Sequence, residues 1–221
     1  MTVLRDWIKV AEKRAGLYWW FSTVFSRELS REQVGAYGQS EAEAHLQALA
    51  EDPALRRGAV RLQSAVAALL SMEEPRLELA ADFTQLFLTD GRLGAPPYAS
   101  MYLSAGGLLF QKPHEQMLAL LEVEGLVIDS GYKEPADHLA VQLDYLGNLI
   151  LKTVQAEGVA EAKLLIREQM VFLDEHLLNW VPTFVQRCRR LSTTTDFYQS
   201  CSELLSAFLL QDREYVQDAL I

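Results

Sequence analysis

Cysteine is almost missing from this chain of 221 residues, which holds two, Cys188 and Cys201. They show no CxxC spacing and are too few for a disulfide framework, so a reducing compartment, the cytoplasm, is the expected location. Histidine is sparse as well. His45, His114, His138 and His176 form no HExxH motif, no two lie one helical turn apart, and none has a cysteine near it in sequence. No zinc site is therefore expected. The paired Glu-x-x-His pattern of di-iron bundles is missing too. So are the G-x-S-x-G elbow, the Walker loop and G-x-G-x-x-G. Bases are outnumbered, with 20 against 30 acids and a net charge of −10. An acidic surface repels nucleic-acid phosphate and anionic lipid, and attracts a basic peptide. Long apolar runs are lacking. The longest uncharged stretch, Leu93 to Gln111, carries three glycines and two prolines and makes no ordinary membrane helix. The beginning, Met1 to Trp7, has an early acid and no apolar core, so no secretory signal is expected. Arg56-Arg57 and Arg189-Arg190 are internal.

What is abundant is apolar residues, half of the chain, spaced for helices. From Leu4 to Phe25 they recur at Leu4, Trp7, Ile8, Ala11, Ala15, Tyr18, Trp19, Phe21, Val24 and Phe25. Ser30 with Gln33, and Ser40 with Glu43, form capping-box patterns. Pro53 and Pro75 stand where a first helical position is expected. The pattern predicts helices near 31–37, 41–51, 53–71 and 75–88, a loop over 89–97, and a short ordered piece at Tyr98–Leu103. A helix from Pro113 to Glu124 should end on Gly125 in a left-handed cap. Helices near 135–156, 159–179, 182–191 and 197–210 follow, with a tail helix after Asp212. The expected fold is all-α: one body over 1–221, with about ten helices in two lobes. The lobes are set at about 1–125 and 135–221, joined by a hinge loop at about 126–134.

Two stretches carry candidate chemistry. In the first, Pro96 and Pro97 stiffen the approach to Tyr98 and Tyr102. It reads equally as a buried loop whose aromatics fill the core or as a groove wall on which an apolar peptide docks. The second is Glu134-Pro135-Ala136-Asp137-His138. Pro135 is expected to open a helix, which puts Asp137 in its first turn, where the helix dipole favours negative charge. One reading is a well-formed helix start. The other is a polar cluster in which Asp137 receives a guanidinium and His138 orients it or senses pH. Upstream, Asp82, Phe83, Leu86 and Phe87 form a helical stripe of the kind that usually faces a core.

Taken together these stretches resemble the TorD family of chaperones, which mature molybdenum-containing redox enzymes before export through the twin-arginine route. The likeness includes Arg76 to Phe83, Leu86-Phe87-Leu88, Trp180 to Val185 and Phe197-Tyr198, and runs from about Leu4 to about Leu210. Relatives of the DmsD branch carry a tryptophan at the Phe83 position and a proline-tryptophan pair where this chain has Asp90-Gly91. The resemblance implies a chaperone without catalysis, whose partners are the twin-arginine signal and the apo form of a molybdoenzyme of the trimethylamine-N-oxide reductase type. It implies client contact through Glu134, Pro135, Asp137, His138, Pro96, Pro97, Tyr98, Tyr102, Phe83, Leu86 and Phe87. No firmly bound cofactor is implied. Guanine nucleotide is linked to the family, and no phosphate cradle in this sequence supports it. Exchange of the second lobe between two chains, giving a swapped homodimer, is a further expectation. Two other function classes remain open on residues alone. One is a helical adaptor presenting Met101, Met117 and Leu118 to an amphipathic partner helix. The other is an enzyme using Asp137 and His138 as an acid–base pair.

Overall fold

Helical periodicity decides the architecture. The computed structural model describes residues 2–91 and 93–221, with side chains from Lys9 onward. Leu4, Trp7 and Ile8 therefore fall outside the described side chains. Among the described residues there are eleven α-helices and no strand; an isolated antiparallel bridge joins Tyr98 and His138. None of these helices is long and apolar enough to cross a membrane.

The chain divides into two compact units, each assembled from separate segments. The first comprises Met1–Ser26, Tyr98–Trp180 and Asp212–Ile221, and the second Arg27–Pro97 and Val181–Gln211. Residues 126–134, expected as a hinge, lie inside the first unit.

The first unit is built on α1 (Thr2–Ser26), α6 (Ala99–Leu103), α7 (Lys112–Val123), α8 (Leu139–Val154) and α9 (Val159–Phe172). Helix α8 is its axis: Leu139, Leu143, Leu146, Leu149 and Ile150 are all buried. It lies along α1 closely enough that a Cβ on Gly147 would sit 2.6 Å from Trp19 Nε1. Ser22 Oγ donates to the Ala140 carbonyl at 2.8 Å. One buried ion pair anchors this core. Arg14 on α1 pairs with Asp212, which belongs to the last segment of the unit. Tyr18 Oη donates to Asp212 Oδ2 at 2.7 Å, and Arg14 Nη2 donates to Gln169 Oε1 at 2.9 Å. Burial depresses the Arg14 basicity, but Asp212 overcomes it and the net shift is upward. Helix α7 ends as expected, with Gly125 at φ 65° and Leu126 N donating back to the Leu121 carbonyl at 2.9 Å.

The second unit holds α2 (Arg31–Ala36), α3 (Ser40–Glu51), α4 (Arg56–Leu70), α5 (Pro75–Phe83), α10 (Val181–Arg190) and α11 (Phe197–Asp218) as far as Gln211. Helix α2 carries the expected Ser30–Gln33 capping box. The second expected box is absent. Gln39 is the cap of α3 and makes no side-chain bond, so Ser40 is already the first helical residue. The helix expected over 75–88 is not uniform: after Phe83 it widens into a π turn at Thr84–Leu88. The Leu86 carbonyl accepts a hydrogen bond at 2.6 Å from Ala95 N, which returns from the following loop. That approach needs Gly94, where a Cβ would stand 2.8 Å from the Leu86 oxygen and would also collide with Thr89 Oγ1. The tail helix expected after Asp212 is the continuation of α11, not a separate element.

Candidate functional site

The Glu134–His138 motif is not inside a helix. Helix α8 begins at Leu139, and His138 is its cap, with φ −64° and ψ 138°. His138 Nδ1 accepts from Ala140 N at 3.0 Å, doing what serine or aspartate does at most helix starts. Pro135 makes a tight turn instead, with its carbonyl accepting from His138 N at 3.0 Å. Asp137 therefore precedes the cap, and the expected first-turn placement is corrected. Its position is fixed by the Tyr98–His138 bridge, with Ala99 N donating to the Asp137 carbonyl at 3.1 Å, and by Ser100 N donating to Asp137 Oδ2 at 2.7 Å.

The Asp137 side chain is 0 % exposed, and its Oδ1 has no hydrogen-bond partner among the described residues. His114 on α7 has its Nδ1 4.0 Å away. That nitrogen is already an acceptor, taking the Ala136 N–H at 2.9 Å, so it carries no proton to offer Oδ1. With that lone pair engaged by Ala136, Nδ1 makes no hydrogen bond to Oδ1 across the 4.0 Å gap.

His138 Nδ1 is similarly committed as an acceptor, with Tyr132 Oη at 3.0 Å as a second neighbour. Burial pulls the His138 basicity down from the ordinary 6.5 to about 3. The ring is neutral around pH 7, and a switch near neutrality does not follow from it. Tyr98 Oη donates to Glu134 Oε2 at 2.6 Å. Burial, and then this hydrogen bond to Glu134, push the Tyr98 phenol well above its ordinary value, so it remains a donor.

Next to this buried cluster lies an exposed apolar surface. Gln111 N donates to Ser100 Oγ at 3.2 Å, tying the end of the 104–111 loop to the start of α6. Leu103, Leu108, Leu109 and Phe110 are exposed on that segment, and Leu118 is exposed on α7. The Phe110 ring meets His114 edge-on, with centroids 5.0 Å apart and planes at 83°. Phe110 also has φ 57°, a conformation uncommon for a residue with a side chain.

The remaining sequence-selected residues sit elsewhere. Phe83, Leu86 and Phe87 are buried in the core of the second unit. Phe83 and Phe87 pack edge-on at 5.1 Å, and each meets Tyr198 at 5.5 and 5.3 Å. Asp82 beside them accepts from Thr194 N at 2.8 Å and Thr195 N at 2.7 Å, holding the entry to α11. Pro96 and Pro97 are buried at the end of that unit's first segment. Tyr102, in the first unit, stacks at a tilt on Trp180 at 5.3 Å. Met117, expected on an adaptor surface, is fully buried.

Residues 48–186 match the family described as nitrate reductase delta subunit. The chain is 40 % identical over 205 residues to the chaperone protein TorD of Vibrio parahaemolyticus, covering 93 % of this chain and 95 % of that one. The chain belongs to the TorD family of chaperones. To TorD of Vibrio atlanticus it is 39 % identical over 213 residues, 96 % of this chain and 99 % of that one. To TorD of Photobacterium profundum it is 38 % identical over 213 residues, with 96 % and 98 % covered. The TorD family consists of chaperones and not of enzymes. Among the described residues no group of three or more histidines, cysteines or acids could hold a metal ion.

Sequence reasoning missed His114, Ser100 and the exposed Leu108-Leu109-Phe110 run as neighbours of Asp137. The lack of any charge from Leu93 to Gln111 was the one available signal. The pairing of that segment with residues 134–138 is a tertiary fact.

Proposed function

We propose that this TorD-family chaperone works in the cytoplasm on a molybdoenzyme of the trimethylamine-N-oxide reductase type. It binds the twin-arginine leader and the immature enzyme body, and so delays export until the molybdenum cofactor is in place. The observation that carries the leader-binding part is the Asp137 carboxylate: fully buried, with one oxygen left without a partner. Buried polar atoms are nearly always hydrogen-bonded, so an orphan carboxylate oxygen suits a cation that arrives with a ligand. The exposed apolar run beside it suits the uncharged stretch that follows the arginines in such a leader. The net charge of −10 adds long-range attraction for a basic peptide. Glu134, Pro135, His138 and Tyr98 act by holding Asp137 in place; Pro96 and Pro97 set the approach of the chain to Tyr98.

Calorimetric titration with a trimethylamine-N-oxide reductase leader tests the reading, at low and at moderate salt. Saturable binding is expected, weaker with salt, and weaker by tenfold or more when both arginines become glutamine. Equal binding of the two leaders would favour the helical adaptor. No binding of either would remove leader recognition from the proposal.

A further inference from the structure

We infer that Phe110 and His114 form a movable cover over the Asp137 carboxylate, and that leader binding opens it so that Oδ1 takes an arginine guanidinium. This rests on the leader-binding reading above and adds its route of access. The argument begins with a contradiction in the resting geometry. Asp137 Oδ1 is an unpartnered acceptor, yet it is fully enclosed, so no ligand reaches it as the protein stands. Beside it stands the half-buried His114 imidazole, 4.0 Å away, whose Nδ1 is engaged by Ala136 and donates nothing to it. His114 is held there by two contacts: the Ala136 N–H on Nδ1 at 2.9 Å and the Phe110 ring at 5.0 Å. Neither is strong. One hydrogen bond and one aromatic edge contact are readily exchanged for others.

Phe110 is built to move. It is 59 % exposed, its φ of 57° is unfavourable, and the loop before it turns on Gly106 at φ 83° and Gly107 at φ 60°. The apolar side chains that would meet a leader, Leu108, Leu109 and Phe110, lie on this same loop. Engagement of the apolar stretch thus pulls on the residue that holds His114 down. The carboxylate is presented only to a chain that offers both an arginine and an apolar flank. A lysine is a poorer occupant, because a planar guanidinium can serve Oδ1 and a neighbouring carbonyl at once.

Amide hydrogen exchange on the full chain reads the cover directly, through the Ala136 N–H that His114 Nδ1 accepts. Saturating leader should speed exchange at Ala136 tenfold or more while other amides of the first unit slow down. A purely structural His114 would show no such acceleration. Two further arms use the same readout: a leader with both arginines changed to glutamine, and the enzyme body without its leader. Acceleration by the body alone would overturn the assignment to the leader. A second measurement uses a short diarginine peptide lacking the apolar stretch. A cover open about one-tenth of the time lowers its apparent affinity about tenfold, so Phe110→Ala should raise that affinity by about the same factor. His114→Gln, whose amide oxygen can still accept the Ala136 N–H, should do likewise. Normal leader affinity with unchanged Ala136 exchange and no effect of either variant would sink the cover and leave leader recognition standing. Absence of leader binding would sink both.

Discussion

Asp137→Asn separates a carboxylate kept for a ligand from one kept for the fold. Asparagine is nearly isosteric and retains an oxygen to accept the Ser100 N–H now bonded at 2.7 Å. The variant loses charge assistance in that bond, a difference of about 1 kcal/mol. It also removes a buried acceptor with no partner, whose desolvation penalty is about 1–3 kcal/mol. The replacing amide N–H₂ is uncharged and costs less to bury than an unpartnered carboxylate oxygen. The sum is a free protein that is unchanged or more stable, by up to about 2 kcal/mol in urea unfolding. Binding should move the other way. Loss of one charge-assisted hydrogen bond of about 1.5–3 kcal/mol weakens the leader Kd by about 10- to 150-fold. The paired assay is therefore urea melts and calorimetric titration on the same preparation. A variant that loses about 2 kcal/mol or more of stability while binding the leader normally would show that Asp137 is a structural acid, and would refute the reasoning.

Three other outcomes follow from the first unit. His138 takes up its proton near pH 3 when folded and near 6.5 when unfolded, so between these values the unfolded chain binds more protons. Stability from this group is intact above about pH 6.5 and falls as the pH is lowered through that window, by at most about 1.4 kcal/mol per pH unit. His138→Asn, which still caps a helix, should flatten the difference between urea melts at pH 7 and pH 5; an unaltered slope would contradict the neutral buried ring. Asp212→Asn leaves Arg14 buried without its charge partner and should cost about 3–5 kcal/mol in the same assay. Gly147→Ala forces a methyl into the Trp19 indole; about 1–3 kcal/mol of overpacking exceeds the roughly 1 kcal/mol gained in helix propensity, so a lower thermal midpoint is expected.

The all-α fold was legible because apolar spacing is a local signal, and so were features set by neighbouring residues, such as the Ser30–Gln33 box and the Gly125 cap. What failed depended on partners distant in sequence. Ser40 and Glu43 have the letters of a capping box, but the chain enters α3 one residue earlier, at Gln39. The widened turn at Thr84–Leu88 is marked by nothing in its own residues; it accompanies the bond from Ala95 N. The helix start at 134–138 was misplaced by four residues for the same kind of reason. Pro135 is a fair first helical residue, yet pairing of 98–100 with 137–138 keeps the backbone extended until Leu139. Of the candidate site, Glu134, Asp137, His138 and Tyr98 could be named from sequence. Their cover, Phe110 and His114, could not, since neither residue type is unusual where it stands.

Three buried aspartates among the described residues meet the same physical demand in different ways, and Asp137 is the odd one. Asp212 is neutralised by Arg14 and further satisfied by the Tyr18 hydroxyl. Asp82 has no cation, but each of its oxygens receives a backbone N–H, from Thr194 and Thr195. Both are complete within the fold, and removing either acid exposes donors that need it. Asp137 is as deeply buried, and only one of its oxygens is engaged, by Ser100. An asparagine there would still accept the Ser100 N–H and would fold with no greater penalty, so stability does not explain the acid. A carboxylate that is half satisfied by the protein is completed only by something the protein does not contain. For a chaperone, whose complex must form and later come apart, an incomplete acid has a consequence that a complete one lacks: the free state is held higher, and the client's arginine lowers it without any strong contact having first to be broken.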